Sequence, residues 1–200
     1  MLIKVCGMHS PDQVKQVEEF ADYVGFIFYK HSQRFVESTP VVSKAKKVGV
    51  FVNASLDEVR QSIAKHSLDV VQLHGNETPE FCQELKTNVE IIKAFGVQPD
   101  FSFAETKAFE AQVDFFLFDT KTPGYGGSGK QFDWSLLSNY QGETPFILSG
   151  GLHPNALEEI QNLRHPQMMG LDLNSGFEIA PANKDVDLLR TFILQLKQQS

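Results

Sequence analysis

The chain has 200 residues, 42% of them apolar, with 18 basic against 25 acidic side chains and a formal net charge of −7. That size and composition predict one domain over residues 1–200, large enough to bury a continuous core. No stripe of Lys and Arg interrupts the acidic balance, which argues against nucleic acid or an anionic membrane surface as a partner. Any anion must then be held locally.

No apolar run approaches a bilayer span, and the start MLIKVCGMHS lacks the basic segment and apolar stretch of a secretory signal. The expectation is a soluble, cytoplasmic protein. Cys6 and Cys82 are too few for a disulfide framework and have no CxxC spacing, so both read as reduced thiols.

Short β-branched or aromatic runs alternate with longer amphipathic ones along the whole chain. LIKVC is followed by the helical pattern PDQVKQVEEF, and YVGFIF by a stretch with only a faint helical mark. VGVFV precedes LDEVRQSIAKH, and DVVQL precedes PEFCQELK. EIIKAF and VDFFLFD are again followed by weak helical signals, then PFILS leads to PNALEEIQNL and MGLDL to DVDLLRTFILQLK. The apolar runs have the length of buried strands, and the helical ones repeat apolar residues every three or four positions. Pro11, Pro79 and Pro154 fall where a first helical turn begins, where proline's missing N–H costs nothing. Eight strand-helix units without a composition break predict an α/β fold, a single-domain (β/α)8 TIM barrel, in preference to a doubly wound open sheet.

In such a barrel the C-terminal ends of all strands share one mouth, where chemistry belongs. The candidates there are Cys6, the segment from Phe28 to Arg34, His74, Asp119 and the glycine-rich ends of the last two strands. Cys6 precedes Gly7, a placement that leaves its thiol at the rim, either meeting a substrate or filling space as a small hydrophobe. Cys82 lies inside a helical pattern and reads as core. Asp119 shares a strand face with Phe115 and Leu117, so desolvation would raise its pKa and keep a proton available; the competing reading is an N-cap or a loop tie. Arg34 carries a fork suited to a carboxylate or phosphate. The histidines show no HExxH-type spacing, and no metal is expected.

FILSGGL and GLDLNSGFE each run a strand into a loop of small residues. Two adjacent loops of that kind can aim several backbone N–H groups at one anion, and a short helix beginning after the second would add its positive end, which points to a phosphorylated small molecule. The segment TKTPGYGGSGKQFDW, with Gly124, Gly126, Gly127 and Gly129, reads as a lid.

Taken together, KVCGM, GFIFYKHSQRFV, VGVFVN, VQLHGNE, LFDTKTPGYGGSGKQFDW, LSGGLHP and GLDLNSGFE resemble the phosphoribosylanthranilate isomerase family of tryptophan biosynthesis, in order and spacing along almost the whole chain. The resemblance implies a (β/α)8 barrel and an Amadori rearrangement of N-(5-phosphoribosyl)anthranilate to 1-(o-carboxyphenylamino)-1-deoxyribulose 5-phosphate, with no metal or organic cofactor. It puts the general base on Cys6, the general acid on Asp119 and the contact to the anthranilate carboxylate on Arg34. The phosphate cradle falls on Gly150, Gly151, Asn174, Ser175 and Gly176. A monomer or a homodimer is compatible with it.

Three positions depart from the family pattern. SQR stands at 32–34 where SPR is usual, which predicts a looser loop around Arg34. His9 stands where threonine is common, and HPNAL replaces a Pro-Glu-Asn run, predicting a different cap on the seventh helix. Two alternatives stay open: another phosphosugar barrel enzyme, an epimerase or aldolase, and a catalytically silent phosphoribosyl-binding protein. A Schiff-base aldolase needs a lysine at the mouth; the nearest, Lys93, is expected to point into the barrel below the rim.

Overall fold

A computed structural model describes residues 1–86, 89–121 and 131–198. Eight parallel strands close into a barrel in chain order: β1 (Leu2–Val5), β2 (Tyr23–Ile27), β3 (Lys46–Phe51), β4 (Val70–Leu73), β5 (Glu90–Val97), β6 (Phe115–Thr120), β7 (Phe146–Leu148) and β8 (Met168–Leu173). β1 closes the ring against β8, with Lys4 opposite Asp172. The eight predicted strands are all present, each within a residue or two of its sequence run.

Strand alternation sorts the side chains into two cores. Tyr23, Val48, Val50, Val70, Ile92, Ala94, Leu117 and Ile147 pack with Cys6 inside the barrel. Ile3, Val5, Val24, Phe26, Val71, Leu73, Ile91, Phe116, Phe118, Phe146 and Leu171 face outward into the layer beneath the helices. The period of two in a strand makes each residue's face predictable from its neighbours. Lys93 therefore points outward with Ile91 and Phe95, not into the barrel as expected, because Ile92 and Ala94 hold the inner positions. Its ammonium donates to the carbonyls of Leu73 (3.3 Å), Gly75 (2.7 Å) and Ala94 (3.2 Å) and to the Glu77 carboxylate (3.2 Å). A lysine so bound is a structural tie.

The helices form where the apolar pattern was clear. α1 (Pro11–Val17) starts on Ser10, whose hydroxyl accepts the Gln13 N–H, and α2 (Leu56–His66) starts on a reciprocal Ser55–Glu58 capping box. α3 (Pro79–Leu85) is capped by Thr78. α4 (Leu157–Asn162) is preceded by a 3-10 turn, Pro154–Ala156, where the His153 ring accepts the Asn155 N–H; this is the altered cap that HPNAL foretold. α5 (Val186–Gln198) buries Leu189, Phe192, Ile193 and Leu196. Cys82 lies in the core, where burial pushes its thiol up to about 11, so it stays protonated and unreactive at neutral pH.

No helix follows β2, and those after β5 and β6 are the 3-10 segments Phe103–Phe109 and Trp134–Asn139. A short 3-10 segment cannot cover a strand's outer face as a full helix does. Aromatic rings fill the gap: Phe103 meets Phe118 edge-on at 5.2 Å, Phe118 packs on Phe146 at 5.0 Å, and Phe95 meets Phe116 at 5.5 Å.

Candidate active site

The mouth is built on the residues that end or follow the strands. Cys6 continues the β1 ladder by donating its N–H to Leu173 O at 2.9 Å. It is 3% exposed, so the thiol lies beneath the rim, not at it as expected. Gly7 adopts a φ of +70°, and a Cβ there would lie 2.6 Å from Arg34 Cδ, so glycine allows the arginine to cross directly over the turn that follows the thiol.

Below Cys6 on the same inner face is Lys4, wholly buried, with its ammonium 2.8 Å from Asp172 Oδ1 on β8. Burial opposes the charge on Lys4, but the Asp172 carboxylate and the adjacent thiol more than reverse this and hold it above its ordinary value. For Cys6 burial pushes the thiol up, and the Lys4 ammonium draws it partly back. The thiol is thus protonated at rest, with a fixed cation ready to stabilise the thiolate. The sequence reading missed this pair. Its signal was available: Leu2, Lys4 and Cys6 alternate on one face of a strand, and Asp172 interrupts an apolar run.

Asp119, near the end of β6, is partly exposed at the mouth. Its Oδ1 accepts the Thr120 N–H at 2.8 Å and its Oδ2 lies 3.4 Å from His74 Nε2. The Gln72 amide lies 2.9 Å from His74 Nδ1, and when it donates there the ring proton belongs on Nε2, facing Asp119. His74 is therefore the orienting neighbour of the carboxyl. A cavity of about 840 Å³ opens beside them on the β4–β6 side of the mouth, lined among others by Glu77, Lys93, Asp119 and Lys121.

Arg34, expected on a looser loop, is 8% exposed and has one edge bound by a carboxylate. Its Nε bonds both oxygens of Glu178 at 3.0 Å and its Nη2 bonds Oε2 at 2.6 Å. Ser32 Oγ accepts the Arg34 N–H at 3.1 Å, and His9 Nε2 donates to Phe35 O at 2.7 Å, so two side chains pin the loop that a proline would have stiffened. Glu178 opens β9 (Glu178–Ala180), which forms an antiparallel hairpin with β10 (Asn183–Lys184).

The loops after β7 and β8 meet. Gly150 and Gly151 both have φ near +77°, and a Cβ at Gly176 would lie 2.1 Å from Leu152 O, so the two loops touch through backbone alone. Ser175–Phe177 forms a 3-10 turn in place of the expected short helix. Asn174 turns its side-chain oxygen to the Lys184 ammonium at 2.7 Å. Residues 122–130, with the glycines read as a lid, lie outside the described residues. No group of three or more His, Cys, Asp or Glu poised to hold a metal occurs among the described residues, and no described helix is long and apolar enough to cross a membrane.

A closed parallel barrel with its thiol, carboxyl and cations gathered at the C-terminal mouth defines a (β/α)8-barrel of the metabolic-enzyme class. Residues 3–195 match the family model described as N-(5'-phosphoribosyl)anthranilate (PRA) isomerase. The N-(5'-phosphoribosyl)anthranilate isomerase of Parabacteroides distasonis is 50% identical, over 98% of this chain and 93% of its own length. The crystal structure of phosphoribosyl anthranilate isomerase from Thermus thermophilus superposes with a TM-score of 0.87 at 28% identity, covering 100% of both chains. A phosphoribosyl anthranilate isomerase in complex with reduced 1-(o-carboxyphenylamino)-1-deoxyribulose 5-phosphate superposes at 0.83 with 31% identity, over 99% of this chain and 100% of the other. The chain belongs to the phosphoribosylanthranilate isomerase family.

Proposed function

We propose that this chain converts N-(5-phosphoribosyl)anthranilate into 1-(o-carboxyphenylamino)-1-deoxyribulose 5-phosphate, the isomerisation of its family in tryptophan biosynthesis, with Cys6 as base and Asp119 as acid. The observation that carries the assignment of roles is the pairing, at one mouth, of a buried thiol backed by the Lys4 ammonium with a solvent-reaching carboxyl oriented by His74.

The Asp119 carboxylic acid gives its proton to the furanose ring oxygen. The ring C–O bond breaks, the aminal opens to a Schiff base, and Asp119 is left as the carboxylate. The positive iminium nitrogen acidifies the neighbouring C2′ proton, which the Cys6 thiolate removes. The electron pair released moves into the new C1′–C2′ double bond and neutralises the nitrogen, giving an enolamine that tautomerises to the ketose. The resting thiol must first give up its proton to solvent, and the Lys4 ammonium together with the cation generated on the substrate favours that loss. Arg34 takes the anthranilate carboxylate, and Gly150, Gly151, Asn174, Ser175 and Gly176 hold the phosphate through main-chain N–H groups. Two remote anchors at opposite ends of the substrate place the reacting carbon between acid and base.

Substrate generated fresh from its components and mixed with the purified protein should be consumed with first-order loss and appearance of the ketose. No conversion above the uncatalysed rate refutes the isomerase. A second expected result concerns the cradle. Inorganic phosphate competes with substrate, and Ser175→Asp, which adds a negative charge without the clash any side chain at Gly176 would cause, raises KM by about tenfold or more with kcat nearly unchanged. Normal KM in that variant with no competition by phosphate would move the phosphate elsewhere.

A further inference from the structure

A guanidinium has two hydrogen-bonding edges, and Glu178 occupies only one of them. The side edge of Arg34, Nε with Nη2, is spent on the Glu178 carboxylate. Nη1 makes no hydrogen bond among the described residues, so the end edge formed by Nη1 and the outer hydrogen of Nη2 remains as a seat for one further bidentate carboxylate. Glu178 is itself held from behind. Lys184, whose side chain is wholly buried, donates to Glu178 Oε1 at 2.5 Å and to Asn174 Oδ1 at 2.7 Å, and the Ala182 N–H donates to Glu178 Oε1 at 3.2 Å. Burial raises the Glu178 pKa, but the bonds from Arg34 and Lys184 outweigh it and bring the net shift below the ordinary value.

The charges matter as much as the geometry. Glu178 alone would cancel the arginine and repel a second carboxylate. Burial draws the Lys184 pKa below its ordinary value against the opposing pull of Glu178; with Lys184 protonated, Arg34 and Lys184 against Glu178 leave the cluster a net charge of +1 beside the mouth. We propose that Glu178 and Lys184 are positioning residues that fix Arg34 with its end edge open and thereby make the enzyme demand a carboxylate on the aromatic ring of its substrate. This deepens the isomerase reading and rests on it. The β9–β10 hairpin then has a defined job: it carries both residues to the turn that follows Cys6, where Arg34 Cδ and Asn174 Oδ1 lie within 2.6 and 2.9 Å of where a Cβ on Gly7 would stand. An arginine held in this way loses little side-chain freedom on binding, whereas one on a free loop must be ordered by the ligand.

The test compares two ligands by calorimetry: reduced 1-(o-carboxyphenylamino)-1-deoxyribulose 5-phosphate and its phenylamino counterpart, which lacks only the carboxylate. The parent protein should bind the first about tenfold or more tighter. Glu178→Gln and Lys184→Met should each cut that ratio by about fivefold or more, with the phenylamino compound bound within about twofold of the parent, and Lys184→Arg should restore most of the preference. In turnover the loss should fall on KM. An unchanged ratio in Glu178→Gln, or an equal loss for both ligands, overturns the inference and leaves the cluster a structural brace. Should Lys184→Met not fold, Glu178→Gln, which keeps the shape of the side chain, decides alone. A parent protein that turns over substrate but binds both ligands equally refutes the inference only; one that turns over nothing refutes the isomerase itself.

Discussion

Replacing Cys6 with serine should lower kcat by about 10³-fold while leaving the binding of the reduced product analogue close to normal. The two atoms differ little in size, and the serine hydroxyl can occupy the same slot above Lys4. It is too weak an acid to supply an alkoxide there, so the proton on C2′ loses its acceptor. The loss corresponds to about 4 kcal/mol of transition-state stabilisation and should appear in kcat and kcat/KM alike. The pH dependence gives an independent readout. Burial sets the Cys6 thiol above its ordinary value and Lys4 draws it down, so alkylation of Cys6 in the free protein should be slow near neutrality and rise as pH increases. In Lys4→Met the rise should move to still higher pH, because the cation that favoured thiolate is gone. A shift toward lower pH, or near-normal kcat in the serine variant, would remove Cys6 from the base role.

Asp119→Asn should lower kcat by about 10²-fold or more. The amide preserves the shape of the carboxyl and can still accept the Thr120 N–H that holds Oδ1 at 2.8 Å. It has no acidic proton for the ring oxygen, so the aminal stays closed and the Cys6 step is never reached. An asparagine variant of full activity would place the acid on another group at the mouth, with His74 the nearest candidate at 3.4 Å.

The faint second, fifth and sixth helices in the sequence are absent or reduced to 3-10 segments, because the apolar spacing that would seat a full helix is not there and phenylalanine rings cover the strands instead. The short cradle helix became a three-residue turn. Arg34 was expected on a loose loop because Gln33 replaces a proline, a local argument. The bond to Glu178, 144 positions away in the chain, lay outside any such local argument.

The order of strands, their inner and outer faces and the gathering of Cys6, Arg34, Asp119 and the two glycine-rich loops at one mouth follow from the sequence by itself. Periodicity and turn residues are local properties, and the motifs resembling the isomerase family lie at the strand ends that a barrel brings together. Only the tertiary structure decided how deep each group sits and what it touches: the buried thiol, the Lys4–Asp172 pair behind it, and the Arg34–Glu178–Lys184 cluster. Those are contacts between residues far apart in the chain, whose energies depend on burial and on the distance between charges, and neither quantity exists until the barrel has closed.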